Sequence, residues 1–232
     1  GSISAVFPKV VSDNLLQIAP EIVFVKELDS SSDGDAVIGA CLESIDLSRF
    51  DSVLIGPGLG VGHESWTTVA EPLKRFRGLV VLDADALNRL ALTSEVAKWF
   101  QERKGPTWIT PHAEEFNRLF PSIKPQSPLQ AAVEAAELTG AGVLLKGAHS
   151  VVADPSGAAW QLSKTAPWVA RTGLGDLLAG YAAGLGSIEI AASKFCKTEF
   201  LAAAMFVHAE AALGCTGGSN ASSINRYLES LT

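Results

Sequence analysis

An aspartate stands where a glycine-rich loop meets a helix-like apolar run, in the stretch TGLGDLLAG at residues 172–180. The first turn of an α-helix carries unpaired N–H groups and a partial positive charge. The backbone amides of Gly173, Leu174 and Gly175 are therefore predicted to bind a phosphate group. Asp176 then has two interpretations: it caps the helix, or it accepts a hydroxyl proton while the amides stabilise a phosphoryl group in transfer. A cap needs no glycine on either side of Leu174, which favours phosphoryl transfer to a hydroxyl.

Four further motifs follow apolar runs of the chain. GPGLG at residues 56–60 allows positive φ and close backbone approach, but a plain turn explains it equally well. DADALN at 83–88 places Asp83, Asp85 and Asn88 where a buried run ends, and helix capping by Asp85 is the alternative. Ligands of open α/β sheets bind at the carboxyl ends of the strands, so both motifs are predicted to lie at a binding cleft.

The other two motifs are TPHAEE at 110–115 and Lys146-Gly147. His112 and Glu115 are predicted to project into the cleft, or else Thr110 or His112 caps the next helix. A lysine that closes an apolar strand needs an anionic partner or a route to solvent. Lys146 is therefore expected to pair with an acid or a bound anion.

The elements that position these motifs alternate between strand and helix. Runs that are apolar throughout are typical of strands covered on both faces, and they lie at 52–56, 79–85, 107–110 and 142–147. Helical patterns lie at 63–76, 94–101, 114–120 and 129–139. This order predicts an α/β sandwich with a mostly parallel sheet.

The pattern changes after Gly147. Residues 150–163 predict an antiparallel hairpin around a turn at 154–157, at one side of the sheet. Helices are predicted at 176–185, within 194–213 and at 222–231, and the polar stretch 28–36 is predicted to be a loop. No internal repeat or linker divides the 232 residues, so one domain is expected.

Composition excludes several classes of function. A net charge of −7 without a basic patch argues against nucleic-acid binding. The three cysteines, Cys41, Cys196 and Cys215, lack the spacing of a disulfide framework or a zinc site, and no His/Cys/Asp cluster suggests a structural metal. No apolar run is long enough to cross a membrane, and the first residues, GSISAVFPKV, lack the charged and apolar regions of a signal peptide, which predicts a cytoplasmic protein.

Five motifs together resemble the ADP/ATP-dependent NAD(P)H-hydrate dehydratases, which are repair enzymes of the ribokinase-like superfamily. IGPGLG, VLDADALN, TPHAEEFNRL, VLLKGAHSVVADPSG and GLGDLLAGYAAGL occur in the family's order and approximate spacing. The resemblance covers most of the chain from Pro20 onward, and DADALN with TPH..E separates this family from ordinary sugar kinases.

The resemblance implies that ADP or ATP, with Mg²⁺, phosphorylates the hydroxyl of S-NAD(P)H-hydrate, and that phosphate is then eliminated to give NAD(P)H. Asp176 is then the base, and residues 173–175 form the anion hole. The residues implied at the nucleotide are Lys146, Gly147, Ser150 and Thr172. Those implied at the hydrate are Gly58, Gly60, Asp85, Asn88, His112 and Glu115. A homo-oligomer is also implied, since family members form tetramers.

The chain differs from the usual family pattern in three places. Before Asp176, Trp168 replaces a small residue, Arg171 is added, Thr172 replaces a glycine and Leu174 replaces a hydroxyl residue. TPHAEE replaces TPHPGE, and ISAVF at the start resembles the family's second strand instead of its first. Three explanations of this start are open: the chain is a fragment, a partner supplies the missing segment, or the protein has lost it. An incomplete sheet would leave an exposed edge, which favours oligomerisation.

Two alternatives to the dehydratase are consistent with the sequence. One is a ribokinase-like kinase of a small alcohol, such as a sugar or a hydroxymethylpyrimidine, which Asp176 suits equally well. The other is a non-catalytic nucleotide-binding member of the superfamily, which Leu174 and the missing first strand motivate.

Overall fold

Nine strands and nine α-helices are present in the computed structural model, which describes residues 1–8, 11, 17, 19–30, 36–60, 66–94, 96–124, 126–169, 172–216 and 219–231. The strands are β1 (Ile3–Pro8), β2 (Ile22–Ser30), β3 (Ala36–Val37), β4 (Ser52–Ile55), β5 (Leu79–Leu82), β6 (Thr107–Ile109), β7 (Gly142–Leu145), β8 (Val151–Ala153) and β9 (Ala159–Gln161). The helices are α1 (Gly39–Ser44), α2 (Trp66–Arg75), α3 (Ala84–Ala91), α4 (Val96–Glu102), α5 (Ala113–Leu119), α6 (Pro128–Thr139), α7 (Leu174–Ser193), α8 (Thr198–Leu213) and α9 (Ala221–Leu231). Short 3₁₀ turns cover Leu47–Arg49 and Pro167–Val169.

The main sheet has six strands in the order β4-β5-β6-β7-β8-β9. Its first four strands pair in parallel, and β8 and β9 extend it as an antiparallel hairpin. The predicted α/β class, the parallel strands and the hairpin are therefore confirmed. Parallel strands share one carboxyl edge, and this edge collects the predicted site residues.

Helices cover both faces of the main sheet, which explains why its strands are apolar throughout. Along β5, Val80 and Leu82 face the core formed with α2 to α6, whereas Leu79 and Val81 face α7 and α8. All four of these side chains are fully buried. The alternation places α7 across β4 and β5, so its first residue lies at the edge of the sheet where the strands end.

A second sheet contains β1, β2 and β3. β1 pairs in parallel with β2, and β3 adds two antiparallel pairs at Asp29 and Ser30. The strand predicted at ISAVF is thus confirmed as part of β1. The loop predicted at 28–36 is wrong at its ends, because residues 28–30 extend β2 and residue 36 begins β3; residues 31–35 lie outside the described residues.

One predicted helix, α7, has clearly different bounds, and one helix, α3, was not predicted. α3 was not predicted, because the acids of DADALN were assigned to the end of a strand, whereas the strand ends at Leu82. α7 runs to Ser193, beyond residue 185, because Gly186 lets it pack directly on Leu79 and Trp108 instead of ending it. Lys194, with a φ of 64°, separates α7 from α8, which starts at Thr198 and lies within the predicted range 194–213.

Candidate active site

The four parallel strands of the main sheet, β4 to β7, end at the same edge of the sheet. The residues that directly follow them are Gly56, Asp83, Thr110 and Lys146. Lys146 N–H donates to the Pro111 carbonyl at 2.8 Å, and Lys146 pairs with His112 in a parallel bridge. The pairing of β6 with β7 therefore continues past the ends of the two strands. The topology therefore brings together the motifs predicted to line the cleft.

The glycine loop after β4 is held by α3. Gly56 has a φ of 140°, and a Cβ on it would lie 1.7 Å from the Asp83 carbonyl oxygen, so only glycine fits. Asp85 accepts a hydrogen bond from Gly60 N–H at 2.9 Å. Arg89, which is almost fully buried, donates to the carbonyls of Gly60 at 2.9 Å and Leu59 at 2.7 Å. These hydrogen bonds hold the glycine loop in one conformation, in which Gly58 faces open space.

Replacing Arg89 with Met is expected to lower the free energy of unfolding by about 2–4 kcal/mol, because two buried charge-assisted hydrogen bonds are lost and two loop carbonyls lose their donors. Urea denaturation measures the change. Arg118→Met is the matched control, since the Arg118 side chain is 51% exposed and its loss should cost less than about 1 kcal/mol. Equal losses in the two variants would contradict the structural role of Arg89.

Asp83 is the buried centre of the site. Its side chain is fully buried, and Oδ1 accepts hydrogen bonds from Thr110 Oγ1 at 2.8 Å and from Lys146 Nζ at 2.6 Å. Among the described residues Oδ2 has no hydrogen-bond partner. The anionic partner that Lys146 was expected to need is therefore Asp83. Asp83, not Asp85, occupies the N-cap of α3, and it makes no side-chain cap bond there.

The first turn of α7 has the form expected of an anion-binding turn. Gly173 adopts a left-handed φ of 90°, its carbonyl accepts from Leu177 N–H at 3.0 Å, and Asp176 lies in the first turn with its side chain exposed. Thr172 is exposed beside it. Partial desolvation raises the pKa of Asp176, Asp83 and Asp85 raise it further, and Lys146 opposes them. Asp176 follows Gly175, where a Cβ would lie 3.2 Å from Lys146 Nζ, so this turn lies beside the Asp83–Lys146 pair.

An apolar cluster on the far side holds this turn in place. Leu174 and Leu177 pack with Val207 of α8 and with a buried group of residues. That group consists of Val169, Ala211, Ala212, Ile224 and Leu228. Trp168 Nε1–H donates to the Cys215 carbonyl at 3.0 Å. Leu174 and Trp168, which differ from the family pattern, thus anchor the turn to α8 and α9; Arg171 lies outside the described residues.

His208 is buried beneath the same turn. Burial lowers its pKa to about 4, although the Leu174 backbone acts in the opposite direction. Its Nε2 is buried and has no hydrogen-bond partner in the described part of the chain. The imidazole is therefore neutral at physiological pH, and its protonation is unfavourable in the folded state.

Acidification is expected to destabilise the protein through His208. Between its ordinary pKa of about 6.5 and its folded pKa of about 4, the unfolded chain binds a proton that the folded protein does not. Stability is therefore lost as the pH falls through this window. Relative to His208→Leu, the wild type should lose about 2 kcal/mol of unfolding free energy from pH 7 to pH 5. Urea titrations at both pH values measure this difference, and parallel losses in both proteins would contradict the assignment.

His112 and Glu115 form a capping box at the start of α5. His112 Nδ1 accepts from Glu114 N–H at 3.1 Å, and Glu115 Oε2 accepts from His112 N–H at 2.8 Å. Glu115 is buried by this contact, so it does not project freely into the cleft. The alternative that His112 caps the helix is confirmed. Asn88 accepts from Arg118 at 2.6 Å.

The hairpin begins with a tight turn beside Lys146. Ser150 Oγ accepts from Gly147 N–H at 3.1 Å and donates to the Gly147 carbonyl at 3.0 Å, which closes the segment between β7 and β8. Within the described ranges, no group of three or more His, Cys, Asp or Glu side chains is arranged to hold a metal ion. None of the helices formed by those residues is both long and apolar enough to cross a bilayer.

Three site residues were not identified from the sequence: Arg89, Thr110 as a ligand of Asp83, and His208. Arg89 was detectable in principle as a lone cation in the apolar pattern ALNRLAL. Thr110 was considered only as a helix cap. His208 lies in an Ala-rich run, and no feature of that run indicates a functional role for it.

Comparison with known proteins identifies the family of the chain. A family model described as NAD(P)H-hydrate dehydratase matches residues 9–228. The bifunctional NAD(P)H-hydrate repair enzyme of Synechocystis sp. is 35% identical over 215 residues, which are 92% of this chain and 38% of that protein. This chain therefore spans less than half the length of that relative.

Solved structures with the same fold include an ADP/ATP-dependent NAD(P)H-hydrate dehydratase from Bacillus subtilis, co-crystallised with ATP/Mg²⁺ and soaked with CoA. Its TM-score is 0.77 at 22% identity, over 100% of this chain and 80% of that one. Ribokinase from Thermotoga maritima has a TM-score of 0.57 at 18% identity, over 98% of this chain and 80% of that one. At these identities the structures establish a ribokinase-like fold. Because the family model spans nearly all of the sequence, the chain belongs to the NAD(P)H-hydrate dehydratase family.

Proposed function

We propose that this chain dehydrates the S form of NAD(P)H-hydrate at the expense of ADP or ATP. The observation that carries the proposal is the first turn of α7, where Asp176 stands beside backbone amides and close to the Lys146 ammonium. A carboxylate next to an anion-binding turn is what phosphoryl transfer to a hydroxyl requires. The names of the Synechocystis and Bacillus relatives support the choice of hydrate and nucleotide.

In the first step, Asp176 accepts the proton of the hydrate hydroxyl as that oxygen bonds to the terminal phosphorus of the nucleotide. The bond from this phosphorus to the bridging oxygen breaks, and AMP leaves from ADP, or ADP from ATP. The amides of residues 173–175 and the Lys146 ammonium face the charge that develops on the phosphoryl oxygens. Gly147, Ser150 and Thr172 belong to the nucleotide side in this proposal.

In the second step, the carbon–oxygen bond to the phosphate breaks and the nicotinamide ring loses a proton, which gives NAD(P)H and inorganic phosphate. Phosphate is a far better leaving group than hydroxide, which is why the nucleotide is consumed. The hydrate is placed against the glycine loop at Gly58 and Gly60. The remaining residues on the hydrate side act chiefly by fixing the shape of the glycine loop and of the start of α5. They are Asp85, Asn88, His112 and Glu115.

Mg²⁺ fits this site as a companion of the nucleotide. It would be held mainly by the phosphate oxygens, whose charge it would neutralise. The described residues offer no separate acidic cluster for a resident ion.

The direct test supplies purified protein with S-NADH-hydrate, Mg²⁺ and either ADP or ATP. Recovery of the absorbance of reduced nicotinamide, together with one inorganic phosphate per NADH, is expected. Omission of the nucleotide is the matched control and should abolish recovery. Comparison of ADP with ATP at equal concentration identifies the preferred donor.

Two other outcomes would overturn the proposal. Nucleotide consumption that requires a sugar or a hydroxymethylpyrimidine, without NADH recovery, would identify a small-molecule kinase. Nucleotide binding in calorimetry without turnover of any of these alcohols would identify a non-catalytic member. The homo-oligomeric state, the cytoplasmic location and the single-domain organisation implied by the sequence stay predictions.

A further inference from the structure

We propose that Asp83 is a positioning residue, which holds the Lys146 ammonium over the first turn of α7 and so prevents it from pairing with Asp176. This inference rests on the proposed function, because it concerns the group that keeps the base free to accept a proton. Asp83 itself contacts no reacting atom in this account and acts through Lys146.

The contacts of Asp83 fix the lysine in one place. Asp83 is fully buried, and Thr110 Oγ1 donates to the same Oδ1 that accepts from Lys146 Nζ. The 2.6 Å contact with Nζ is the short distance of a charge-assisted hydrogen bond. The Lys146 side chain is only 17% exposed, so the ammonium has little access to competing water.

Gly175 shows where the ammonium is held. A Cβ on Gly175 would lie 3.2 Å from Lys146 Nζ and 3.9 Å from both Cδ and Cε. Gly175 lies inside α7 and has no left-handed φ, so its backbone conformation does not require glycine. The absence of a side chain instead leaves room for the ammonium. Asp83 on β5, Lys146 after β7 and Gly175 on α7 thus form one three-element contact.

Asp176 follows Gly175 directly, so an unrestrained ammonium at this turn would be drawn to its carboxylate. An ion pair with Lys146 would lower the pKa of Asp176 and weaken it as a base. Asp83 holds the lysine through a 2.6 Å contact with a fully buried carboxylate. The charged groups that act on Asp176 are Asp83 and Asp85, which raise its pKa, and Lys146, which lowers it.

A purely structural ion pair predicts a different outcome from this positioning role, and the ligand-free protein distinguishes the two. The ¹³C signal of the Asp176 side-chain carboxyl, assigned by its loss in Asp176→Asn, is followed against pH in wild type, Asp83→Asn and Thr110→Val. Asp83→Asn is expected to lower the titration midpoint of Asp176. Adding Lys146→Met should then raise the midpoint more in the Asp83→Asn background than in the wild type, because only a released ammonium pairs with Asp176, whereas a purely structural ion pair predicts equal shifts in both backgrounds. Thr110→Val, which removes a hydrogen bond to the same oxygen but keeps the charge, should leave the midpoint in place.

An equal effect of Lys146→Met in the wild-type and Asp83→Asn backgrounds would overturn the proposal, as would an unchanged midpoint in Asp83→Asn or an equal change in Thr110→Val. Should Asp83→Asn fail to fold, the wild type alone still provides a test. A nuclear Overhauser effect between the Hε protons of Lys146 and the Hα protons of Gly175 is expected, and its absence would equally overturn the placement. Neither measurement uses substrate or nucleotide. If both measurements give the expected results but the protein does not dehydrate the hydrate, the proposed function is refuted and the role of Asp83 is not.

Discussion

Replacement of Asp176 with Asn is expected to lower kcat/KM for S-NADH-hydrate by about 10²–10⁴-fold, the range typical of a lost general base. In the wild type, kcat/KM should fall as the pH drops through the pKa of Asp176. This pKa lies above that of an ordinary aspartate, because the side chain is partly desolvated and stands near Asp83. A pH–rate profile of both proteins, with saturating nucleotide and Mg²⁺, measures the loss and the position of the acid limb.

Stability is the control for the Asp176 variant. A carboxyl whose pKa is raised on folding is less stable when ionised in the folded protein than in the unfolded chain. At neutral pH, removal of this charge should therefore leave the free energy of unfolding unchanged or higher. Full activity in Asp176→Asn would exclude Asp176 as the base, and a large fall in stability would assign it a structural role.

Replacement of Lys146 with Met is expected to lower the free energy of unfolding by about 3 kcal/mol, because it leaves a fully buried Asp83 carboxylate without its cation. It should also lower kcat/KM by about 10²-fold, since one group that faces the phosphoryl oxygens is lost. Urea denaturation and steady-state kinetics measure the two effects separately.

The double variant Asp83→Asn, Lys146→Met separates pairing from packing. With both charges removed, most of the lost stability should return while the activity stays low. A double variant as unstable as the sum of the single variants would show that the two side chains do not stabilise each other.

The sequence predicted the parallel strands because β4 to β7 are covered on both faces, which makes nearly all of their positions apolar. It predicted the hairpin because Asp154 to Gly157 supply turn residues between two short strands. Parallel strands must end at a common edge, so the assembly of their polar ends into one site followed from topology alone.

Side-chain partners could not be predicted in the same way, because they depend on contacts between residues far apart in the chain. Asp83 and Lys146 are 63 positions apart, and only the sheet order makes them neighbours. Leu174 was interpreted as a lost hydroxyl contact, whereas its side chain packs on the side of the turn that faces α8 and α9. One-dimensional patterns identify which residues lie near the ends of elements, but not which way each one faces.

The apolar cluster beneath Leu174 makes the proposed phosphate-binding turn harder to open than most active-site loops. Loops at active sites generally open at low free-energy cost, because few apolar contacts hold them. Here, opening of the turn would expose Leu174 and Val169 together with parts of α8 and α9. The direction of its amides is therefore fixed before any ligand arrives, and little reorganisation is needed as charge develops on a phosphoryl group. Leu174, whose side chain has no polar atom, therefore helps to preorganise the electrostatics of the site by its packing against α8 and α9.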